Sequence, residues 1–375
     1  MSRPFDVCVR GAGIVGRTLA LHLAAKRLRV ALVAQPTASN PAHADVRAYA
    51  LSAASRALLE AIRCWPGIDS ATPVRAMQVF GDQGGEVRFD ANAQGTEALN
   101  WIVDVPALER MLSEATKFQP LIEVVDTPVP AELTVVCEGR ASSTRAEFGV
   151  DFRIRPYGQS ALATRVLCAL PHAQTARQWF AQGEITALLP LGGPAGNLCA
   201  LVWSVSPERA QHLQIEPEAS FCQQLESVTR GMLGSLTLTG PRHVWALQAA
   251  QADRWCGRGP QGAWALAGDA AHNVHPLAGQ GLNLGLGDVA ALVAALDRRP
   301  YWRSVGDLHL LRPYERARKA EHAVVGGSGD VLQKLFSPTL PWVQSLRNLG
   351  MNGFEHSGPL KQWVARRAMG AASSL

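Results

Sequence analysis

Paired cysteines, long apolar runs and concentrated charge are all missing from this chain of 375 residues. Its seven cysteines, Cys8, Cys64, Cys137, Cys168, Cys199, Cys222 and Cys256, form no CxxC pair, and most have apolar neighbours. They read as buried thiols rather than metal ligands or disulfides, and point to a reducing, intracellular setting. No apolar stretch approaches the roughly 18 residues of a membrane-spanning helix, and the opening residues carry no signal-peptide pattern. Lys and Arg outnumber Asp and Glu by only 36 to 31 and are dispersed, which excludes the basic stripe of a nucleic-acid binder. So mild a charge is compatible with an anionic membrane surface without requiring one. HExxH and GxSxG are absent, and His272 and His275 beside Asp269 lack metal-ligand spacing; neither a metal nor a serine hydrolase is expected. His272 reads as structural and His275 as a cavity-wall residue.

What is present is apolar bulk. At 47% hydrophobic and 18% charged, the chain can bury a large core as two domains, or as one nucleotide domain interrupted by another. The apolar run Phe5-Asp6-Val7-Cys8-Val9 reads as a buried parallel strand feeding Gly11-Ala12-Gly13-Ile14-Val15-Gly16, then a helix over residues 18–26 and a second strand, Val30-Ala31-Leu32-Val33. In that setting GxGxxG reads as a dinucleotide turn. Gly11 permits the sharp turn, Gly13 lets a pyrophosphate approach, and Gly16 lets helix and strand pack closely, with helix N–H groups facing the phosphates. The second strand lacks the usual terminal acid: Ala34-Gln35 follows it, leaving Gln35 as a neutral ribose partner.

Further on, residues 53–62 and 105–117 have helical periodicity, the latter carrying Arg110 on a face away from its apolar stripe. Arg47, among small and apolar residues before the first of these helices, suits either an anion or flavin-edge clamp or a surface salt link. Residues 74–80 and 86–89 predict a hairpin, and 133–137 a buried strand leading into Glu138-Gly139-Arg140. Strands are expected over 163–170, 185–189, 198–205 and 245–247, and helices over 175–181 and 217–225. Trp179, Trp203, Trp245 and Trp255 suit core packing or the wall of an apolar cavity. Finally, the apolar Trp264-Ala265-Leu266-Ala267 ends at Gly268-Asp269, where a carboxylate can accept from a sugar hydroxyl. A glycine-rich loop with Gly279 and Gly281 follows, and then a helix over 282–296 whose N-terminus can face a pyrophosphate or a reduced flavin.

These residues together resemble the aromatic-ring hydroxylases of the flavoprotein monooxygenase class, of the para-hydroxybenzoate hydroxylase type. The branch is the one that hydroxylates a prenylated ring in ubiquinone biosynthesis. Gly11 to Gly16 matches its first FAD motif. Glu138-Gly139-Arg140 matches its "DG" motif with glutamate for aspartate, and Gly268-Asp269 matches its "GD" motif. The stretch from His275 to Asp288 and that from Leu311 to Glu321 match the ubiquinone branch in particular. Residues 118–132 are shorter than the family's usual run of strands.

The resemblance implies an α/β fold: a Rossmann-like FAD-binding domain, an inserted, mainly antiparallel β-sheet substrate domain and a helical C-terminal region. The expected boundaries are 1–72, 105–150 and 256–300 for the FAD-binding parts, 73–104 and 151–255 for the substrate domain, and 301–375 for the helical region. It implies FAD as cofactor, NADH or NADPH as transient donor, and oxygen transfer from a flavin C4a-hydroperoxide to a prenylated phenol. Arg47, His275 and Pro276 are the implied catalytic residues. Gly11, Gly13, Gly16, Gln35, Arg47, Arg110, Glu138, Gly268, Asp269, Pro276, Ala278, Gly279, Gln280, Gly281, Leu282 and Asn283 are the implied cofactor contacts. Implied partners are the phenol, O₂, and a peripheral membrane contact or other ubiquinone-synthesis proteins, so the expected location is cytoplasmic, at or near the membrane's inner face. A tail with Val331, Leu332, Leu335, Phe336, Trp342, Val343 and Leu346 at helical spacing suits such a face or a helix docked on its own domain. A flavin monooxygenase of a soluble aromatic compound and a non-catalytic accessory protein remain the alternatives.

Overall fold

The computed structural model describes residues 5–34, 45–81, 84–193, 195–260, 262–274 and 280–336, with side chains to Val325. In chain order the elements are β1 (Phe5–Arg10), α1 (Ile14–Ala25), β2 (Val30–Val33), β3 (Ala48–Leu51), α2 (Ala53–Ala61), β4 (Ala71–Val74), β5 (Ala76–Phe80), β6 (Glu86–Asp90), β7 (Asn100–Asp104), α3 (Val105–Lys117), β8 (Ile122–Val125), β9 (Ala131–Val136) and α4 (Thr144–Glu147). There follow β10 (Phe152–Cys168), β11 (Thr175–Ala181), β12 (Glu184–Pro190), β13 (Leu198–Val205), α5 (Pro207–Ile215), α6 (Glu218–Val228), β14 (Leu236–Leu238), β15 (His243–Ala252), β16 (Cys256–Gly259), β17 (Gly262–Leu266), β18 (His272–Asn273), α7 (Gln280–Asp297) and α8 (Leu308–Phe336).

The nucleotide sheet runs in the order β16-β17-β9-β1-β2-β8, parallel apart from β16. Its strands read as near-continuous apolar runs because helices cover the sheet, and Val7, Val9, Val30, Leu133 and Ala265 are fully buried. The helices α1, α3 and α7 contribute Leu19, Leu108, Leu112 and Leu292 to the same core. Residues 118–132 thus supply one strand, β8, which pairs beside β2 and closes that edge.

The second sheet is larger and mixed, in the order β18-β15-β10-β13-β12-β11-β5-β6, with β14 on β10. One face packs on α5 and α6 through Leu162, Trp203, Leu213 and Phe221. A small third sheet, in the order β3-β7-β4, is antiparallel. Among the described residues no helix is long and apolar enough to cross a membrane.

Two sequence expectations are corrected. Residues 175–181 form strand β11, not a helix. Their composition permits both, and the outcome is set by parallel pairing with β5 and antiparallel pairing with β12, where Trp179 stacks on Phe80 at 5.5 Å. Residues 74–80 are two strands, since Val74 pairs into the small sheet with β7 while Ala76 onward pairs with β6 and β11. Of the two readings of the tryptophans, core packing holds for Trp179, Trp203 and Trp255, each of which is buried in a hydrophobic core. All seven cysteines are buried and free.

Candidate cofactor site

The turn after β1 is glycine-dependent for steric reasons. Gly11 sits at φ +108°, and a Cβ there would lie 2.5 Å from the Cys137 carbonyl oxygen. A Cβ on Gly16 would come within 1.9 Å of the Gly11 carbonyl oxygen, so only glycine lets α1 pass this close to β1. Gly13 is the contrast: a Cβ there would meet nothing within 4 Å, so its outer side is open. Gly13 is also the extended N-cap of α1. No side chain caps the helix and no acid lies in its first turn, which leaves its leading N–H groups facing open space.

The turn after β17 meets the first one directly. Gly268, at φ +63°, packs against Val15, and Gly285 of α7 has room for only a hydrogen beside Val15 and Gly268. Asp269 is thereby placed beside the β1–α1 turn, partly buried, with Asn273 Nδ2 donating to it at 3.3 Å. Burial pushes its carboxyl up; His272, Arg140 and the Asn273 contact oppose this without cancelling it, and Asp288 adds to it. This carboxylate has been drawn out of water without a full set of donors.

Strand β3 forms another side. Arg47, just before it, is clamped by Asp45, with Nε at 2.9 Å and Nη2 at 2.6 Å from the two carboxylate oxygens, and approaches Glu109 at 3.4 Å. Burial would raise the Asp45 carboxyl, but Arg47 overrides it and holds the group below the ordinary range. Tyr49 follows on the same strand. Burial raises its phenol; Arg47 opposes this and Asp269 reinforces it, which places Tyr49 in the field of both.

The first turn of α7 contains Gln280, Gly281, Leu282 and Asn283, and a Cβ on Gly281 would meet nothing within 4 Å. Asn283 acts as a strut: its Nδ2 donates to Ala50 O at 2.8 Å, and its Oδ1 accepts from Ser52 N–H at 2.9 Å and Ser55 Oγ at 2.7 Å. Asn283→Ala leaves the Ser52 N–H without that partner, a cost of about 1–3 kcal/mol. A lower melting temperature and weaker FAD retention are expected; unchanged values in a thermal melt with and without FAD would refute the strut.

Glu138 is part of a closed network. Its carboxylate accepts from Arg10 Nε at 3.1 Å, Ser142 Oγ at 2.7 Å and Thr144 Oγ1 at 2.7 Å, so the extra methylene relative to aspartate is absorbed by three donors. Arg110 is exposed on α3. Gln35, His275, Pro276, Ala278 and Gly279 lie outside the described residues. Sequence reasoning passed over Asp45, Tyr49, Asp288 and Arg318. Asp288, fully buried on α7, accepts from Gly268 N–H at 2.8 Å, sits 2.7 Å from His272 Nε2, and accepts from Arg318 Nε at 2.7 Å. A lone carboxylate inside an apolar helix was the signal available for it. Among the described residues no cluster could hold a metal.

The cradle fits an adenine dinucleotide with a flavin: open space at Gly13 beside a free helix end, and an under-satisfied carboxylate at Asp269. Residues 123–325 match the family described as FAD binding domain. The chain is 30% identical to the 3-demethoxyubiquinol 3-hydroxylase of Escherichia coli, over 98% of this chain and 99% of that one. It is 32% identical to the ubiquinone hydroxylase UbiL of Rhodospirillum rubrum, over 97% and 89%. In fold it is similar to p-nitrophenol 4-monooxygenase PnpA from Pseudomonas putida, with a TM-score of 0.78 at 16% identity, covering 98% of this chain and 99% of that one. A Klebsiella pneumoniae HpxO variant complexed with FAD is similar too, with a TM-score of 0.72 at 15% identity and 98% of each chain covered.

Proposed function

This chain belongs to the family of FAD-dependent monooxygenases that includes the ring hydroxylases of ubiquinone biosynthesis, and from that premise we propose that it hydroxylates the aromatic ring of a polyprenylated phenol. The observation that carries this reading is the direct packing of Gly268 on Val15 of the Gly11–Gly16 turn, which sets the Asp269 turn against the glycine turn. Bound FAD would supply the electron transfer and oxygen activation, with NADH or NADPH as donor. The chain's own residues would bind and orient. The first N–H groups of α1 would receive the pyrophosphate, and Arg47 would add a cation from the β3 side. Asp269 would accept from ribityl hydroxyls, gaining the donors it lacks. The α7 N-terminus, with Gln280, Gly281 and Leu282, would face the electron-rich edge of the flavin ring, and Pro276, Ala278 and Gly279 just before it would complete that frame. Arg47, with His275 and Pro276, would border the reacting ring. The large sheet would form the wall that orients the phenol and excludes water.

A polyprenylated phenol is mostly hydrocarbon, so this reading carries a peripheral contact with the inner face of the membrane or with another enzyme of the pathway. The tail residues suited to that contact, from Val331 to Leu346, lie where no side chain is described.

The test is direct. Purified protein is expected to be yellow or to become so with FAD, to oxidise NADH or NADPH, and to add one oxygen atom to a detergent-dispersed prenylated phenol, followed by mass spectrometry. A protein that takes up no FAD ends the reading. A loaded enzyme that hydroxylates only small soluble phenols replaces its substrate.

A further inference from the structure

The donor named above has no dinucleotide turn of its own: the Gly11–Gly16 turn belongs to the FAD cradle, and the other GxGxxG match, Gly257 to Gly262, joins two antiparallel strands rather than a strand and a helix. A cavity borders Asn273, the residue that donates to Asp269. It is a cleft of about 630 Å³ between the start of β10, the end of β15, β18 and α8, within the usual range for small-ligand sites. Strand alternation puts Arg153, Arg155 and Tyr157 of β10 on this one face, with the two arginines about 7 Å apart. The Arg155 guanidinium lies 5.5 Å from the centre of the Tyr157 ring.

The opposite walls mix small apolar residues with polar ones and are not acidic overall. Gln251 stands across from Arg153 in the β10–β15 register. Lys319 of α8 lines the cleft with its Nζ held at 2.6 Å from both Glu315 Oε1 and the Asp253 carbonyl oxygen. The one carboxylate on the lining, Asp253, lies 3.5 Å from Arg254 Nε, whereas Arg153 has no ion-pair partner among the described residues. At its inner end the cleft is lined by Asn273, whose Nδ2 bonds to Asp269. A row of two arginines, an adjacent aromatic face and amide groups leading to the flavin carboxylate matches a ligand with a pyrophosphate in the middle and a flat ring at each end.

We propose that this cleft docks the pyridine-dinucleotide donor. Its pyrophosphate lies against Arg153 and Arg155, one ring rests on Tyr157, and the nicotinamide end points past Asn273 toward the flavin. The step served is transfer of a hydride from the reduced nicotinamide to the flavin, with a proton joining from solvent and the oxidised dinucleotide leaving. The inference rests on the FAD-enzyme reading, so its test separates the two.

FAD-loaded wild type, Arg153→Ala, Arg155→Ala and the double variant are mixed anaerobically with NADH or NADPH and flavin bleaching is followed by stopped flow. Each single change is expected to raise the donor Kd roughly ten-fold, as loss of one charged phosphate contact would. The limiting reduction rate, the melting temperature and reduction by dithionite should stay as in wild type. Inorganic phosphate should compete with the donor in wild type and much less in the double variant. A double variant whose donor Kd stays within two-fold of wild type overturns the inference and leaves the enzyme reading standing. A wild type that dithionite bleaches but neither nucleotide reduces overturns both.

Discussion

Asp269→Asn is expected to strip FAD from the protein while making the empty protein more stable at neutral pH. A carboxylate accepting from sugar hydroxyls contributes about 1.5–3 kcal/mol, so FAD affinity should fall roughly ten- to hundred-fold. The stability effect runs the other way because burial holds the Asp269 carboxyl above its ordinary range. A group raised in the folded state favours folding fully only below its unfolded pKa, and that contribution is lost as pH rises through the folded value. At neutral pH the ionised carboxylate therefore costs the empty fold stability, and a neutral amide of the same shape removes that cost. The advantage of the variant should shrink as the pH is lowered into the ordinary carboxylate range. Saturating FAD should reverse the order, since ligand binding stabilises only the form that holds it tightly. Melting curves of both proteins, with and without FAD across mildly acid to neutral pH, read all of this at once. An empty variant less stable than wild type, or one that keeps FAD equally well, would remove Asp269 from the site.

Legibility in the sequence followed how local the determining physics is. The Gly11–Gly16 turn could be read because the clashes that demand glycine arise within a few residues, or with the strand directly beside it. The α3 helix was legible to its ends because its apolar stripe and Pro106 at its start are local signals. Residues 175–181 were not, because the partner that makes them a strand, Ala76–Phe80, lies about a hundred positions earlier. The break at Arg75 was hidden for the same reason: Val74 and Ala76 answer to different sheets. The site divides likewise. Asp269 announced itself at the end of an apolar strand, whereas the nearness of Tyr49 to it spans some 220 residues. That Glu138 stands where the family has aspartate was plain in the sequence; the three donors around its carboxylate come from Arg10, Ser142 and Thr144, and only the fold assembles them.

The groups that hold the Asp269 turn in place lie beneath it, and they carry the largest expected effect on stability. Asp288 has no exposed surface and joins Gly268 N–H, His272 and Arg318, while Arg318 also donates to the Leu284 carbonyl oxygen at 3.0 Å. Burial alone would raise the Asp288 carboxyl, but His272 and Arg318 override it and keep the group below the ordinary range. A depressed carboxyl contributes stability above its unfolded pKa and loses it as pH falls through the folded value, so the contribution is complete at neutral pH. Asp288→Asn removes the buried counter-charge of Arg318 and leaves it only the half-exposed Glu321, a loss of about 3 kcal/mol. Melting should fall by about 4 °C in a protein of this size. FAD should be held less tightly as well, because the Gly268 N–H that sets the turn loses its charged acceptor. Removing both charges, with Asp288→Asn and Arg318→Met together, should cost less than the sum of the single changes, since each single change already breaks the shared Asp288–Arg318 pair. Single variants that melt with wild type, or costs that simply add, would show that the turn is held by packing alone.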